Sequence, residues 1–303
     1  MARILPRLIV LVCCAIASAG ALVAFPAAQG RAAGTESASP PARRIVSLVP
    51  ALTEMLFAIE AGGRVVGVSS FDTYPPEVKK LPKVGALLDP DTERILALRP
   101  DLVTMYGSQV DARLRFERAG IRTFAYRHAG IGGALAALRE LGLVTGHRTQ
   151  ADTVVTRIQT RLDALRARVR NAPRVRVLLV FERTPQTLRN MYVSGGAGFL
   201  HEMLEAAGAI NVFADIKQES VQPSHETLLS RAPDVILEVR ARGLIKPEDA
   251  ARERATWSAL PSLPAVRTGR IHLLTGEQLV VPGPRLAEGA DMMARAIHPE
   301  LFR

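Results

Sequence analysis

The residues able to do chemistry are few and scattered. Val193-Ser194-Gly195-Gly196-Ala197-Gly198 sets a serine in a glycine-rich turn, but a hydrolase nucleophile elbow needs glycine two positions before the serine, and Tyr192 stands there. The same run fails the dinucleotide-binding pattern, because His201 takes the place of its last glycine. No Gly-Lys-Ser/Thr phosphate loop occurs. His128, His147, His201, His225, His272 and His298 stand singly, no two at i, i+4, and both cysteines, Cys13 and Cys14, sit near the N-terminus. These residues predict no metal site, no catalytic cofactor and no enzyme. The glycine run reads instead as a loop at the start of a helix from Phe199, its amides able to face an anionic group.

The ends and composition bound where such a protein works. Arg3 and Arg7 precede an apolar run from Leu8 to Val23, and small residues follow, the plan of a signal peptide over residues 1–30. Cleavage would fall after Ala17-Ser18-Ala19 or near Ala27-Ala28-Gln29. The alternative is a retained anchor, for which Leu8–Phe25 is near the lower limit of length. Val12 makes lipidation at Cys13 unfavourable. Residues 31–42 read as a flexible linker of small residues and proline. The whole chain of 303 residues carries a formal charge of +10, and the charges are dispersed, with no basic run interleaved with aromatics. That argues for a periplasmic protein and against nucleic acid as a partner.

Internal repetition organises the rest. Arg44–Val49 reads as a strand, Thr53–Ala61 as an amphipathic helix capped at Gly62-Gly63, and Arg64–Val68 as a strand. The order returns as a strand over Arg174–Phe181, a helix over Phe199–Ala207 ending at Gly208, and a strand over Ile210–Phe213. Glu54-Met55-Leu56 recurs as Glu202-Met203-Leu204. More sharply, Asp91–Val103 matches Ser224–Ile236 at a constant offset of 133 residues: an N-cap residue, glutamate two positions later (Glu93, Glu226), then a Pro-Asp stop before a buried strand. Two similar α/β lobes are therefore expected, over 43–148 and 173–303. Between them, in 149–172, Val154, Val155, Ile158, Leu162, Leu165 and Val169 keep helical spacing over Thr149–Arg170, about 30 Å of rigid strut.

Arg44–Glu54, Val66–Pro76 with its Tyr-Pro-Pro turn, and Glu93–Val103 resemble the periplasmic solute-binding proteins of ABC importers that carry cobalamin and ferric siderophores. The resemblance covers nearly the whole mature chain and is nearest the cobalamin-binding members. It implies two α/β lobes joined by one long helix, with the ligand between them and only modest closure. By position it implies a cleft of Val49, Pro50, Ala51, Tyr74, Leu87, Tyr106, Phe181, Ser220 and Glu277. It also implies that Glu93 and Glu226 dock on arginines of an ABC-importer transmembrane permease. The ligand implied is cobalamin or another metal chelate, the protein a monomer. Two departures stand out: relatives that bind cobalamin place tryptophans where this chain has Leu87 and Ser220, and aromatic or charged groups where it has Gln278–Val281. A ferric-siderophore or haem carrier is the alternative, with Arg127, Arg183 and Arg285 available to hold an anionic siderophore and Tyr74, Tyr106 or His128 to meet haem. A membrane-anchored sensor on the same fold is the alternative of another class.

Overall fold

The computed structural model describes residues 40–86, 89–241 and 247–303; the expected signal peptide, most of the linker and Leu87 lie outside them. The first half comprises β1 (Ile45–Ser47), α1 (Pro50–Ala58), β2 (Val65–Val68), α2 (Thr92–Ala97), β3 (Leu102–Tyr106), α3 (Val110–Arg118), β4 (Arg122–Tyr126) and α4 (Gly130–Thr145). α5 (Arg148–Val169) leads into the second half. There follow β5 (Val175–Glu182), β6 (Tyr192–Ser194), α6 (Gly198–Ala206), β7 (Ala209–Asn211), β8 (Ser220–Val221) and α7 (His225–Arg231). β9 (Val235–Arg240), α8 (Pro247–Ala255), α9 (Pro264–Arg267), β10 (Ile271–Thr275) and α10 (Leu286–Ile297) complete the chain.

The first sheet runs β2-β1-β3-β4, wholly parallel. The second repeats that order as β7-β5-β9-β10, also parallel, and adds β6 antiparallel to β5 with β8 antiparallel beyond it. The repeat reaches individual hydrogen bonds. Asp91 Oδ1 accepts the Arg94 amide at 2.9 Å and Ser224 Oγ the Thr227 amide at 3.1 Å, so both N-caps form. Asp101 and Asp234, the acids of the two Pro-Asp stops, accept the amides of Arg44 and Arg176 at 3.0 and 3.2 Å. The guanidinium groups of those arginines donate to Leu98 O and Arg231 O at 2.7 and 2.6 Å.

Parallel strands covered on both faces read as continuous apolar runs, and successive side chains go to opposite cores. Val46, Leu48, Val103 and Met105 pack with Ile95 and Phe116 on one side of the first sheet. Ile45, Val49 and Leu102 face α1 and α4 on the other. In the second sheet Leu178, Val180 and Ile236 join Phe213 and Trp257. Val177, Leu179, Val235, Leu237 and Val239 face α6 and α10 and belong to the same apolar cluster as the inner face of the first sheet. α5 completes that shared core with Ala151 and the six residues its spacing predicts. Among the described residues no helix is long and apolar enough to cross a membrane.

One local expectation is corrected. The left-handed residue after α1 is Glu60 (φ 66°), while Gly62–Arg64 forms a short 3-10 turn. The helix starts at Pro50, a favoured first position, three residues before Thr53, and so ends sooner. Gly208 does take the left-handed turn after α6 (φ 81°), where a Cβ would lie 2.9 Å from Val169.

Candidate functional site

A solvent-open cavity of about 460 Å³ lies where strand ends from the two halves meet. Each wall follows from the topology. Pro50 and Ala51 begin α1, Tyr106 ends β3 and His128 follows β4. Because β3 and β4 are parallel neighbours with Tyr106 opposite Tyr126, their carboxyl ends deliver these rings together. Opposite them, Phe181 near the end of β5, Phe199 at the start of α6, Glu219 and Ser220 close the second wall, and Val280–Pro282 form its edge. Ligands of α/β sheets bind outside the carboxyl ends of the strands for this reason.

Aromatic rings dominate. Tyr106 and Tyr126 have centroids 5.7 Å apart, His128 lies 5.2 Å from each, and Phe199 stacks on His128 at 6.4 Å across the two halves. Phe181 packs against Tyr192 of the inserted hairpin at 6.3 Å. The Tyr106 hydroxyl is 2.8 Å from His128 Nε2. Burial holds the His128 imidazole below its ordinary pKa despite the nearby Glu219 carboxylate, and so favours the neutral ring. Burial, then the charge of Glu219, raises Tyr106; burial, then Tyr106 and Glu219, raises Tyr126. The surface is apolar and aromatic with a few polar handles, suited to a flat hydrophobic body carrying polar substituents.

Two glutamates occupy helix starts here. Glu219 lies over Gly198 (φ 80°) at the beginning of α6, its Cγ 2.9 Å from where a Cβ would stand. A carboxylate-bearing side chain of the chain itself therefore packs against the glycine loop expected to face an anionic group. Across the cleft Glu202 of α6 accepts the Ile131 amide at 2.7 Å, at the start of α4, beside Gly130. Glu54, the repeat counterpart of Glu202, also ties the halves together: Arg285 donates to it twice, Nε to Oε2 at 2.9 Å and Nη2 to Oε1 at 2.6 Å. Burial raises the Glu54 pKa while the Arg285 bonds and charge pull it down.

The expected cleft residues divide. Pro50, Ala51, Tyr106, Phe181 and Ser220 line the cavity. Val49 is fully buried as the residue preceding α1. Tyr74 and Glu277 lie in the neighbouring Glu54–Arg285 cluster: the Arg285 guanidinium sits 3.7 Å above the Tyr74 ring, Glu277 Oε2 is 3.7 Å from Arg285, and Glu277 Oε1 accepts from the Thr73 hydroxyl. Of the three arginines, Arg285 is thus committed to Glu54. Arg183 is buried, bonding Glu238 at 2.8 Å and Glu253 at 2.7 Å, so it is not available to a siderophore. Arg127 is exposed and outside the cavity lining. The sole tryptophan, Trp257, is buried and donates to Glu238 at 2.5 Å. Glu93 and Glu226 are both exposed in the first turns of α2 and α7.

A mixed α/β fold with an apolar, solvent-open cleft at the strand ends has the geometry of a small-molecule binding protein. The profile of the periplasmic binding protein family matches residues 45–277, and the chain belongs to that family. It is 30% identical over 267 residues to an uncharacterised ABC transporter substrate-binding lipoprotein of Bacillus subtilis, covering 86% of this chain and 82% of the relative. It is 31% identical over 259 residues to the vitamin B12-binding protein of Salmonella typhimurium, covering 84% and 90%. Among solved structures, a periplasmic haem-binding protein of Pseudomonas aeruginosa superposes with a TM-score of 0.74 at 25% identity, covering 85% and 93%.

Proposed function

We propose that this protein is an exported, monomeric solute-binding protein that captures a metal chelate between two α/β lobes, with α5 as the single connecting helix, and delivers it to an ABC importer. A corrinoid such as cobalamin is the first ligand we assign. The observation that carries the reading is the aromatic cavity walled from both halves, in which Tyr106, Phe181 and Phe199 offer faces to a flat ligand while Tyr106 and His128 meet polar substituents. The core shared by both halves and the ties through Glu54 and Glu202 favour modest closure, since packed cores resist continuous deformation. Glu93 and Glu226, exposed at repeat-related positions, suit docking on arginines of the permease, where charge complementarity steers encounter. Ligand residues on this reading are Pro50, Ala51, Tyr106, Phe181 and Ser220, with Val49, Tyr74 and Glu277 supporting them; Leu87, expected with them, lies outside the described residues. A haem carrier is the second reading, favoured by the Tyr106–His128 pair.

Purified protein titrated calorimetrically with cyanocobalamin tests the assignment, with saturable micromolar or tighter binding expected. No heat with cyanocobalamin but a shifted absorption band with ferric protoporphyrin would replace cobalamin by haem. Silence with both and with ferric enterobactin would remove the chelate reading altogether.

A further inference from the structure

We infer that Glu219 makes this cleft select chelates whose periphery is neutral or cationic, rimmed by amides, over chelates rimmed by carboxylates; the inference rests on the chelate-binding reading above. Among the described lining residues Glu219 is the one with a charged side chain, and it lies on the surface of the second wall beside Phe199 and Ser220. Its influence reaches across the cleft: its charge favours the protonated forms of Tyr106, Tyr126 and His128. Apart from Arg127, which is exposed and outside the cavity lining, the groups that would ordinarily welcome an anion have carboxylates of the chain beside them. The start of α6 carries Glu219 itself, packed over Gly198. The start of α4, just past His128, is capped by Glu202 through the Ile131 amide at 2.7 Å. Arg285 is held by Glu54, and Arg183 is buried with Glu238 and Glu253. α1 also begins at the cavity, and there no carboxylate stands in the first turn and Pro50 removes one donor. The first wall therefore suits an acceptor and the second a donor. A primary amide supplies both; a carboxylate supplies only acceptors and meets Glu219 as a like charge across the cleft.

The test is a matched set of ligands: cyanocobalamin, its three propionamide-derived monocarboxylic acids, and ferric protoporphyrin, each titrated into the wild-type chain and Glu219→Gln. Glutamine keeps the length that packs over Gly198, and equal melting temperatures check that the fold is kept. For the wild type, at least one monoacid should bind ten-fold or more weaker than cyanocobalamin at low salt. Glu219→Gln should bring that ratio to about two-fold and tighten ferric protoporphyrin relative to cyanocobalamin. Raising the salt should shrink the wild-type ratio, as screening requires. All three acids bound within two-fold of the parent, a ratio indifferent to Glu219→Gln, or wild-type preference for ferric protoporphyrin would overturn the inference while leaving a chelate carrier standing. Absence of binding by every chelate would overturn both.

Discussion

The two sheets repeat one plan, yet they handle buried polarity in opposite ways. In the first, Ser47, Thr53 and Thr104 are fully buried and satisfy one another through neutral hydroxyls, Thr53 to Ser47 at 2.8 Å and Thr104 to Ser47 at 3.0 Å. In the second, Glu238 of β9 gathers Arg183 and the Trp257 indole, while Glu253 of α8 bonds Arg183 and Arg240 at 2.7 and 3.0 Å. The insertion between β5 and α6 that carries Arg183 also contains β6 and ends in the glycine loop of the cavity. The simple half supplies a framework of strand ends; the elaborated half holds its added wall with charge. Buried charges are costly to strip of partners, whereas a lost neutral hydrogen bond is not, so the two halves should respond very differently to truncation.

Arg183→Ala leaves two buried carboxylates to share Arg240 and should cost about 3 kcal/mol, read from denaturation midpoints with Trp257 emission as the probe. A loss under 1 kcal/mol would erase the contrast between the halves. Next comes the tie between them: in a double-mutant cycle, Glu54→Gln with Arg285→Ala should show a coupling of about 2 kcal/mol, as expected for residues in one network. Its absence would mean that the halves are joined by apolar packing alone. In the first half, Thr104→Val should cost only about 1 kcal/mol, the loss of one neutral hydrogen bond.

A smaller effect distinguishes the second sheet by pH. Burial, then the charges of Arg270 and Arg254, holds the His272 imidazole low, so the unfolded chain binds more protons there. Stability from this residue is complete above the ordinary histidine value of about 6.5 and is lost as pH falls below it. His272→Gln should flatten the slope of unfolding free energy in that window. Glu54 and Asp72 in the first half, both raised chiefly by burial, work with the opposite sign: the folded state holds their protons longer, and stability falls as pH climbs past the ordinary carboxylate values. Smallest in stability is the exposed pair, Glu93→Ala with Glu226→Ala, expected within about 0.5 kcal/mol of wild type. Transport in a strain relying on this protein should nevertheless be abolished with ligand affinity unchanged; altered affinity would move both residues from a docking surface to the cleft.

Much of the fold was legible before any coordinates because the repeat is local. An N-cap, a glutamate in the first turn and a Pro-Asp stop each act within a few residues, and α5 shows its buried face by spacing alone. Part of the cleft was legible too, since Tyr106 and Phe181 lie at strand ends that parallel topology must bring to one side. His128 was a candidate from sequence, but its stacking on Phe199 was not legible, because it joins the ends of β4 and α6 across 71 residues with no shared motif. Strands as short as β6 and β8 leave no period to read, so the wall bearing Glu219 and Ser220 was invisible as a wall.

The sequence by itself determined the repeated α/β plan and the long helix between the copies, since each depends on residue type and near spacing. Only the tertiary structure decided which charges remain free. Arg183 and Arg285 looked equally open to an anion in one dimension, and each is paired with glutamates from elsewhere in the chain, Glu238 and Glu253 for the first and Glu54 for the second, while Glu219 packs against the glycine loop. The pairing of a charge depends on distance through space, and no residue declares its partner in sequence.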